Sequence, residues 1–378
     1  MVTIEKVDWK DKKQVNRFIQ FHYDLYKGTP QWVPPFFSDL QVMLNKKKHP
    51  FYELNDADFF IAVKDGKVAG RIAPMENCSY NKYHATKKTQ FYLFDSIDDQ
   101  EVADALFNRS FEWAKARGLN EIVGPIGFSA FDGYGILIEG YEHRQMMNMM
   151  NYNFPYYVRL LEKLGFEKEV DFVSCYLKKD TYVLPEKVRE VARRVQERGT
   201  FQVSNFTSKS DLRKWAQRIG DAYNKTFIYN WEYYPLTNRE IKFILDNLIT
   251  NAVPSLIKLI THHEDVVGFL LGFPDVSAAM QRHGGKVSLM TPGAIIDILG
   301  EMKRTCWVSL NGAGVLPEFQ GRGGNALLYY EMERTLNSFN FEHAELTQVA
   351  ETTKQMRRDL ITSGAKPYKN HRVYHRKI

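Results

Sequence analysis

One plan of elements is written twice along this chain. Residues 58–75, DFFIAVKDGKVAGRIAPM, read as two β-rich runs around an Asp65-Gly66 turn, and residues 255–275, SLIKLITHHEDVVGFLLGFPD, follow the same plan. Asp-Gly between apolar runs is a strong hairpin signal. In each copy the second run carries a glycine after two apolar residues, Gly70 in VAG and Gly268 in VVG. Each half later shows a short helical segment closing on glycine and then a final β-rich run, LLEKLGFEKEVDFVSCYL at 160–177 and DLITSGAKPYKNHRVYHRKI at 359–378. Gly70 and Gly165 lie 95 residues apart, Gly268 and Gly364 96. Repetition on this scale predicts an α/β (α+β) fold built as two copies of one domain, 1–180 and 181–378, with a linker near 181–185.

The length agrees, since 378 residues exceed what one hydrophobic core usually organises. Apolar residues at 44% and charged residues at 25% describe an ordinary globular chain. The longest apolar runs fall well short of the roughly 20 residues a spanning helix needs, so no membrane segment is expected. The opening MVTIEKVDWKDKK shows no apolar stretch with a cleavage site, and a cytoplasmic location is the expectation. Cys78, Cys175 and Cys306 lack metal-ligand spacing and read as thiols in a reducing compartment. A formal charge of +6 favours anionic ligands only weakly and does not argue for nucleic acid.

In the second half, strands are expected at 201–206, 307–315 and 344–349, and helices at 211–227, 238–248 and 325–338. Between strand 307–315 and helix 325–338 stands LPEFQGRGGNA, residues 316–326. Glycines let consecutive N–H groups turn toward one point, and the helix start adds unpaired N–H groups and partial positive charge. Such a cup suits phosphate oxygens. The same residues also suit a plain turn that docks a helix on a sheet. The loop has neither the Gly-Lys-Ser/Thr of a Walker loop nor the dinucleotide glycine spacing.

The run VLPEFQGRGGNALLYYEME closely resembles motif A of the GCN5-related N-acetyltransferases, Gln/Arg-x-x-Gly-x-Gly/Ala after a strand, and the element order of 200–378 is similar to that family. The resemblance implies two tandem acyl-CoA N-acyltransferase-like domains, each a mixed, mostly antiparallel sheet flanked by helices. It implies that Gln320, Gly321, Arg322, Gly323, Gly324 and Asn325 hold the pyrophosphate of acetyl-CoA or another acyl-CoA. Asn325 departs from the family's Gly or Ala. A splay between the strand before the loop and the strand after the helix would admit pantetheine. Gly312 and Gly314 in SLNGAGV suit a bulge there or simple packing relief, and a backbone N–H among Ala313, Gly314 and Val315 would polarise the thioester carbonyl.

The implied reaction is direct attack by an amine on the thioester. The family's usual acid, a tyrosine in the helix before the closing glycine, falls on Leu360, and its usual asparagine on Thr353. Glu345 is the candidate base, against a reading as a solvated strand carboxylate. Tyr368 is the candidate acid, with Tyr374 an alternative. Acceptor recognition is expected in FIYNWEYYP at 227–235, where Tyr229, Trp231, Glu232 and Tyr233 form an aromatic wall or pack the core. The acceptor would be a small-molecule or peptide amine.

The first half lacks the cup. Its strand at 89–94 runs into DSIDDQEVADALF, placing Asp95, Asp98, Asp99 and Glu101 where phosphate would sit. These carboxylates suit helix capping and would repel pyrophosphate, so residues 1–180 read as a degenerate copy. The glycine-rich stretch 124–140 is a surface loop or a wall of the acceptor site, with Asp132, Tyr134 and Arg144 its notable side chains. The basic final strand reads as a solvated edge, and His262-His263 as a turn with no metal. Two other readings stay open: a non-catalytic protein that binds CoA or another anion, and an aminoacyl-tRNA-dependent transferase, a tandem class that generally lacks motif A.

Overall fold

A computed structural model describes residues 1–129, 131–147 and 150–378. The chain folds into two compact units. The first comprises Met1–Val173, Val276–Glu301 and Tyr368–Ile378; the second comprises Ser174–Asp275 and Met302–Pro367. A single cut near residue 180 therefore does not describe how the chain is shared. The insert after the second hairpin and most of the last strand group with the first unit, the insert through hydrogen bonds such as Gln281 Nε2 to Pro30 O and Phe37 N–H to Gly285 O, the strand through its apolar residues. Val373 and Tyr374 are buried there, and Tyr374 joins the cluster of Phe91, Phe107 and Leu160.

Within the first unit the sheet runs Val2–Lys6, Phe60–Lys64, Lys67–Glu76, Lys88–Ser96, Glu121–Gly124 and Lys366–Lys377. Every pairing is antiparallel except Lys88–Ser96 with Glu121–Gly124. Within the second the order is Gln202–Ser204, Ile257–His262, Asp265–Pro274, Trp307–Val315 and His343–Ala350, again with one parallel pair, the last. Each unit is thus a mixed, mostly antiparallel sheet with helices on its faces.

The repeat holds at the level of single residues. Lys64 pairs Lys67 and His262 pairs Asp265 across two-residue turns, and Asp65 and His263 both take positive φ, 52° and 54°. Both hairpins slip register beside the shared glycine, which pairs Ala62 in one and Ile260 in the other. A Cβ on Gly70 would lie 2.8 Å from Leu106, and one on Gly268 2.9 Å from Ile260, so neither site has room for a side chain. The next strand is bulged in both units, with Leu93 at φ 50° in the first and Gly312 at φ 74° in the second. An extra residue on one strand bends it and breaks its ladder.

Two helices of the second unit start at side-chain caps, Ser208 before Lys209–Lys214 and Thr237 before Asn238–Asn251. Thr237 and Glu240 form a capping box for Asn238–Asn251. The expected helix over 211–227 is two, Lys209–Lys214 and Ala216–Thr226, joined at Trp215. The expected linker is followed directly by a helix the sequence reading did not place, Glu186–Glu197.

Candidate functional site

The strand Trp307–Val315 is the backbone of the site. It pairs His343–Ala350 only from Trp307 with His343 to Leu310 with Leu346; among the described residues no further rung joins them. Two local causes part the strands. On one side Asn311 and Gly312 stand in the bulge, and on the other Gln348 takes φ 48° and its N–H donates to Ser174 Oγ at 3.2 Å. The expected splay and bulge are both present.

Which backbone groups face the opening follows from strand alternation. Leu316 N–H donates to Val267 O at 2.8 Å, toward the neighbouring hairpin strand. Because consecutive residues point opposite ways, Ala313 and Val315 turn their N–H groups to the open side and Gly314 turns its own away. Val315 O is on the open side too, since it accepts from Gln320 Nε2 at 3.0 Å. Gln320 therefore spends a side-chain N–H in closing the loop on its own strand.

Past Gln320 the loop turns through Gly321 at φ 74° and Gly323 at φ 86°, both in the left-handed region that favours glycine, into the helix Gly324–Leu336. Gly323 is the N-cap and supplies no side-chain cap, so the first N–H groups of the helix point outward without an intrahelical partner. A Cβ on Gly321 would meet nothing within 4 Å, whereas one on Gly323 would lie 2.6 Å from Val195 and 2.9 Å from Val191. Gly323 is thus fixed by the packing of Glu186–Glu197 as well as by its backbone. That helix is also tied to the loop helix by Arg189 with both oxygens of Glu333, at 2.5 and 2.6 Å, and by Gln196 with Glu331 at 2.8 Å. Arg322 is exposed with its guanidinium over the Phe319 ring at 5.3 Å, and Asn325 is exposed on the first turn.

Around the point of the splay lies a buried polar cluster. Ser309, Asn311, Glu345 and Thr347 are all buried, and Ser309 Oγ lies 2.8 Å from Asn311 Oδ1 and 3.3 Å from Thr347 Oγ1. Ser309 pairs Glu345 across the parallel rung. Glu345 is fully buried, which overturns its reading as a solvated strand carboxylate. Burial pushes the nearby Cys175 thiol up to about 11, with Arg357 lowering it and Glu345 adding to the rise, which leaves that cysteine un-ionised near neutrality. Leu360, at the family's tyrosine position, is a buried core residue.

The aromatic segment divides. Tyr233 is buried and its hydroxyl donates to Asn224 O at 2.5 Å, a structural role. Tyr229 is exposed, while Trp231 and Glu232 are half-buried, Glu232 at φ 58°. The side chains nearest the bulged strand, Thr226 and Phe227, come from just before them: a Cβ on Gly314 would lie 2.3 Å from Thr226 Cγ2 and 3.5 Å from Phe227.

Tyr134 and Tyr368 belong to the first unit. Tyr134 stacks on Phe172 at 4.8 Å and 7° between planes, and Tyr368 lies against His143 at 4.8 Å. Arg144 O accepts from Lys369 Nζ at 2.7 Å. At the loop of this unit the acidic residues are occupied. Asp99 caps Gln100–Lys115, Lys64 Nζ binds Asp99 at 2.5 Å and Glu101 at 2.9 Å, and Asp98 pairs with Arg159. Asp95 is buried against Arg71 and His22, at 2.7 and 2.9 Å, which hold its carboxyl at about 2 despite burial. Glu121, Glu169 and His375 bring three donor atoms together, but Lys88 Nζ stands 3.9 and 3.8 Å from the two carboxylates and supplies their positive charge.

No family model matches the sequence. The chain is 25% identical over 376 residues to Protein YghO of Escherichia coli K12, covering 97% of this chain and 94% of that one. It is 24% identical over 378 residues to a bacterial ceramide synthase of Caulobacter vibrioides, covering 98% and 96%. Among solved structures it is similar to a tandem GNAT protein from the clavulanic acid biosynthesis pathway, with a TM-score of 0.55, 10% identity, and coverage of 100% of this chain and 98% of that one. The chain has a tandem GNAT fold. A parallel strand pair with a helix between its strands occurs once in each unit. Among the described residues the glycine loop joins strand to helix in the second unit only.

Proposed function

We propose that the second unit binds an acyl-CoA and transfers its acyl group to an amine. The observation that carries this reading is the conjunction, on one strand, of a ladder that stops at Leu310, amides of Ala313 and Val315 turned to the gap, and an uncapped helix start reached through Gly321 and Gly323. The groups fit the co-substrate. The N–H groups of residues 321–326 and the Arg322 guanidinium suit a pyrophosphate, and the gap between strands suits an extended pantetheine amide chain. The first unit, its loop filled by Lys64 and Arg159 ion pairs, is taken as a copy that does not bind CoA.

In the reaction the amine lone pair forms the new C–N bond at the thioester carbon. Negative charge gathers on the carbonyl oxygen, to which the N–H of Ala313 or Val315 would donate. Collapse breaks the C–S bond and leaves a thiolate that takes up a proton. The amine's surplus proton goes to Glu345, a buried carboxylate on the strand beside the end of the ladder. No covalent acyl-enzyme is required, and the un-ionised Cys175 supports that. The name of the Caulobacter relative favours a particular acceptor class: ceramides are amides of long-chain amines, so a lipid amine is the acceptor to try first.

The test is calorimetry with acetyl-CoA, a long-chain acyl-CoA and free CoA, on the native protein and on Asn325→Glu. The introduced carboxylate is exposed and suits a helix N-terminus, so folding is retained while a bound pyrophosphate is repelled. Binding weakened at least about tenfold in the variant supports the site. Equal binding by both proteins would remove the loop from CoA recognition, and no binding by the native protein would favour the non-CoA readings.

A further inference from the structure

The segment 286–304, outside the site described above, carries its polarity the wrong way round for a helix in water. Its helix, Pro292–Arg304, turns its acids inward: Asp297 receives Arg282 at 2.8 Å and His283 at 3.0 Å, and buried Glu301 receives Arg282 at 2.5 Å. Its outward positions are apolar instead. Ile296 is 69% and Leu299 52% exposed, and in the turn just before the helix Leu289 and Met290 are 93% and 92% exposed. Solvent-facing helices ordinarily show the opposite pattern, and a concentration of large exposed apolar side chains marks an interaction surface. The segment is anchored from behind, since Gln281 Nε2 donates to the carbonyls of Pro30 and Trp32, both at 2.8 Å, and Phe37 N–H donates to Gly285 O at 3.1 Å.

Charge selects the partner. Both acids of the segment are held in ion pairs, while Lys286 and Lys303 are exposed at its two ends. Apolar side chains flanked by lysines match a bilayer interface, where the former enter the acyl boundary and the latter meet anionic headgroups. We propose that residues 286–304 dock this protein reversibly on an anionic membrane surface. The helix is 13 residues long, too short to cross, and lies in the interface plane. The proposal does not depend on the acyl-transfer reading.

The experiment is co-sedimentation of the full chain with vesicles of phosphatidylcholine alone and of phosphatidylcholine with 30% phosphatidylglycerol, at about 0.1 M salt. The variants are Leu289→Ser/Met290→Ser and Lys286→Glu/Lys303→Glu. All four positions are exposed, and unchanged melting curves check that each variant folds. The native protein is expected to bind the anionic vesicles, and the serine variant to bind them at least about tenfold more weakly. The glutamate variant is expected to lose the preference for phosphatidylglycerol. Native protein that ignores both vesicles would overturn the proposal. So would a concentration-dependent dimer in sedimentation that only the serine change dissociates, which would assign the patch to a second copy of the chain.

Discussion

Single residues decide whether the site is chemical or merely structural. Glu345→Gln keeps shape and burial while removing the base, so kcat should fall by about 10²–10⁴ with KM for the acyl donor held and the melting curve unmoved. Steady-state rates and thermal melts check this: a fall in kcat with the transition intact supports the role, and a lost melting transition would instead make Glu345 a core residue. Histidines set a second expectation. Burial lowers both His49 and His371 to about 4, with Lys369 lowering His371 further and the Asn151 carbonyl opposing it. A pKa lower in the folded than in the unfolded chain means the unfolded state binds protons first as pH drops below about 6.5. Stability is therefore full at pH 7 and is lost toward pH 4, by something on the order of 2 kcal/mol for each histidine at pH 5. Urea midpoints at pH 7 and pH 5 measure it, and His371→Gln should remove about half of the difference. Little of this could be read in the sequence. Nothing in NHRVYH says that His371 is buried with Nε2 at 3.0 Å from Asn151 O, because that depends on a partner 220 positions away.

Elements show why some parts of the site were legible and others not. The hairpins, the strand Trp307–Val315 and the loop helix were readable because their apolar periods and turn residues are local. The helix Glu186–Glu197 was not: EKVREVARRVQE buries only Ala192 and Val195, and so polar a segment reads as linker until the helix it packs against is known. Burial of Glu345 was missed for the converse reason, since HAELTQVA alternates as a half-exposed strand does while neighbouring Ala344 and Glu345 are both buried. The aromatic wall was legible as composition only, and the chain places Thr226 and Phe227 rather than Tyr233 against the bulged strand. That close approach makes an expectation for the pair of elements. Gly314→Ala should destabilise the second unit by about 1–3 kcal/mol through its clash with Thr226, and Thr226→Ser, which deletes the offending methyl, should restore most of it. A double-mutant cycle from thermal melts reads the coupling; additive effects would mean that strand and helix yield independently.

At the scale of the whole molecule, the repeat was legible as order and spacing, but the division of the chain was not. Assigning Tyr368–Ile378 and Val276–Glu301 to the first unit requires contacts between segments far apart in sequence, which no local pattern encodes. The assignment has a measurable effect. The last strand supplies antiparallel partners for Glu121–Gly124 and Ile136–Glu139 and brings Arg372 to Asp171 at 2.8 and 3.0 Å. Ending the chain after residue 367 should strip hydrogen-exchange protection from 121–124 and 136–139, while the 257–274 hairpin keeps its own. Protection unchanged at 121–124 would show that the first unit closes without its last strand.

Chain sharing also sets a clock for synthesis. Roughly 190 residues separate Val173 from Tyr368, and at about 5–20 residues per second their translation occupies about 10–40 s. Through that interval the Glu121–Gly124 strand lacks its antiparallel neighbour, leaving an open row of backbone donors and acceptors on a nascent chain.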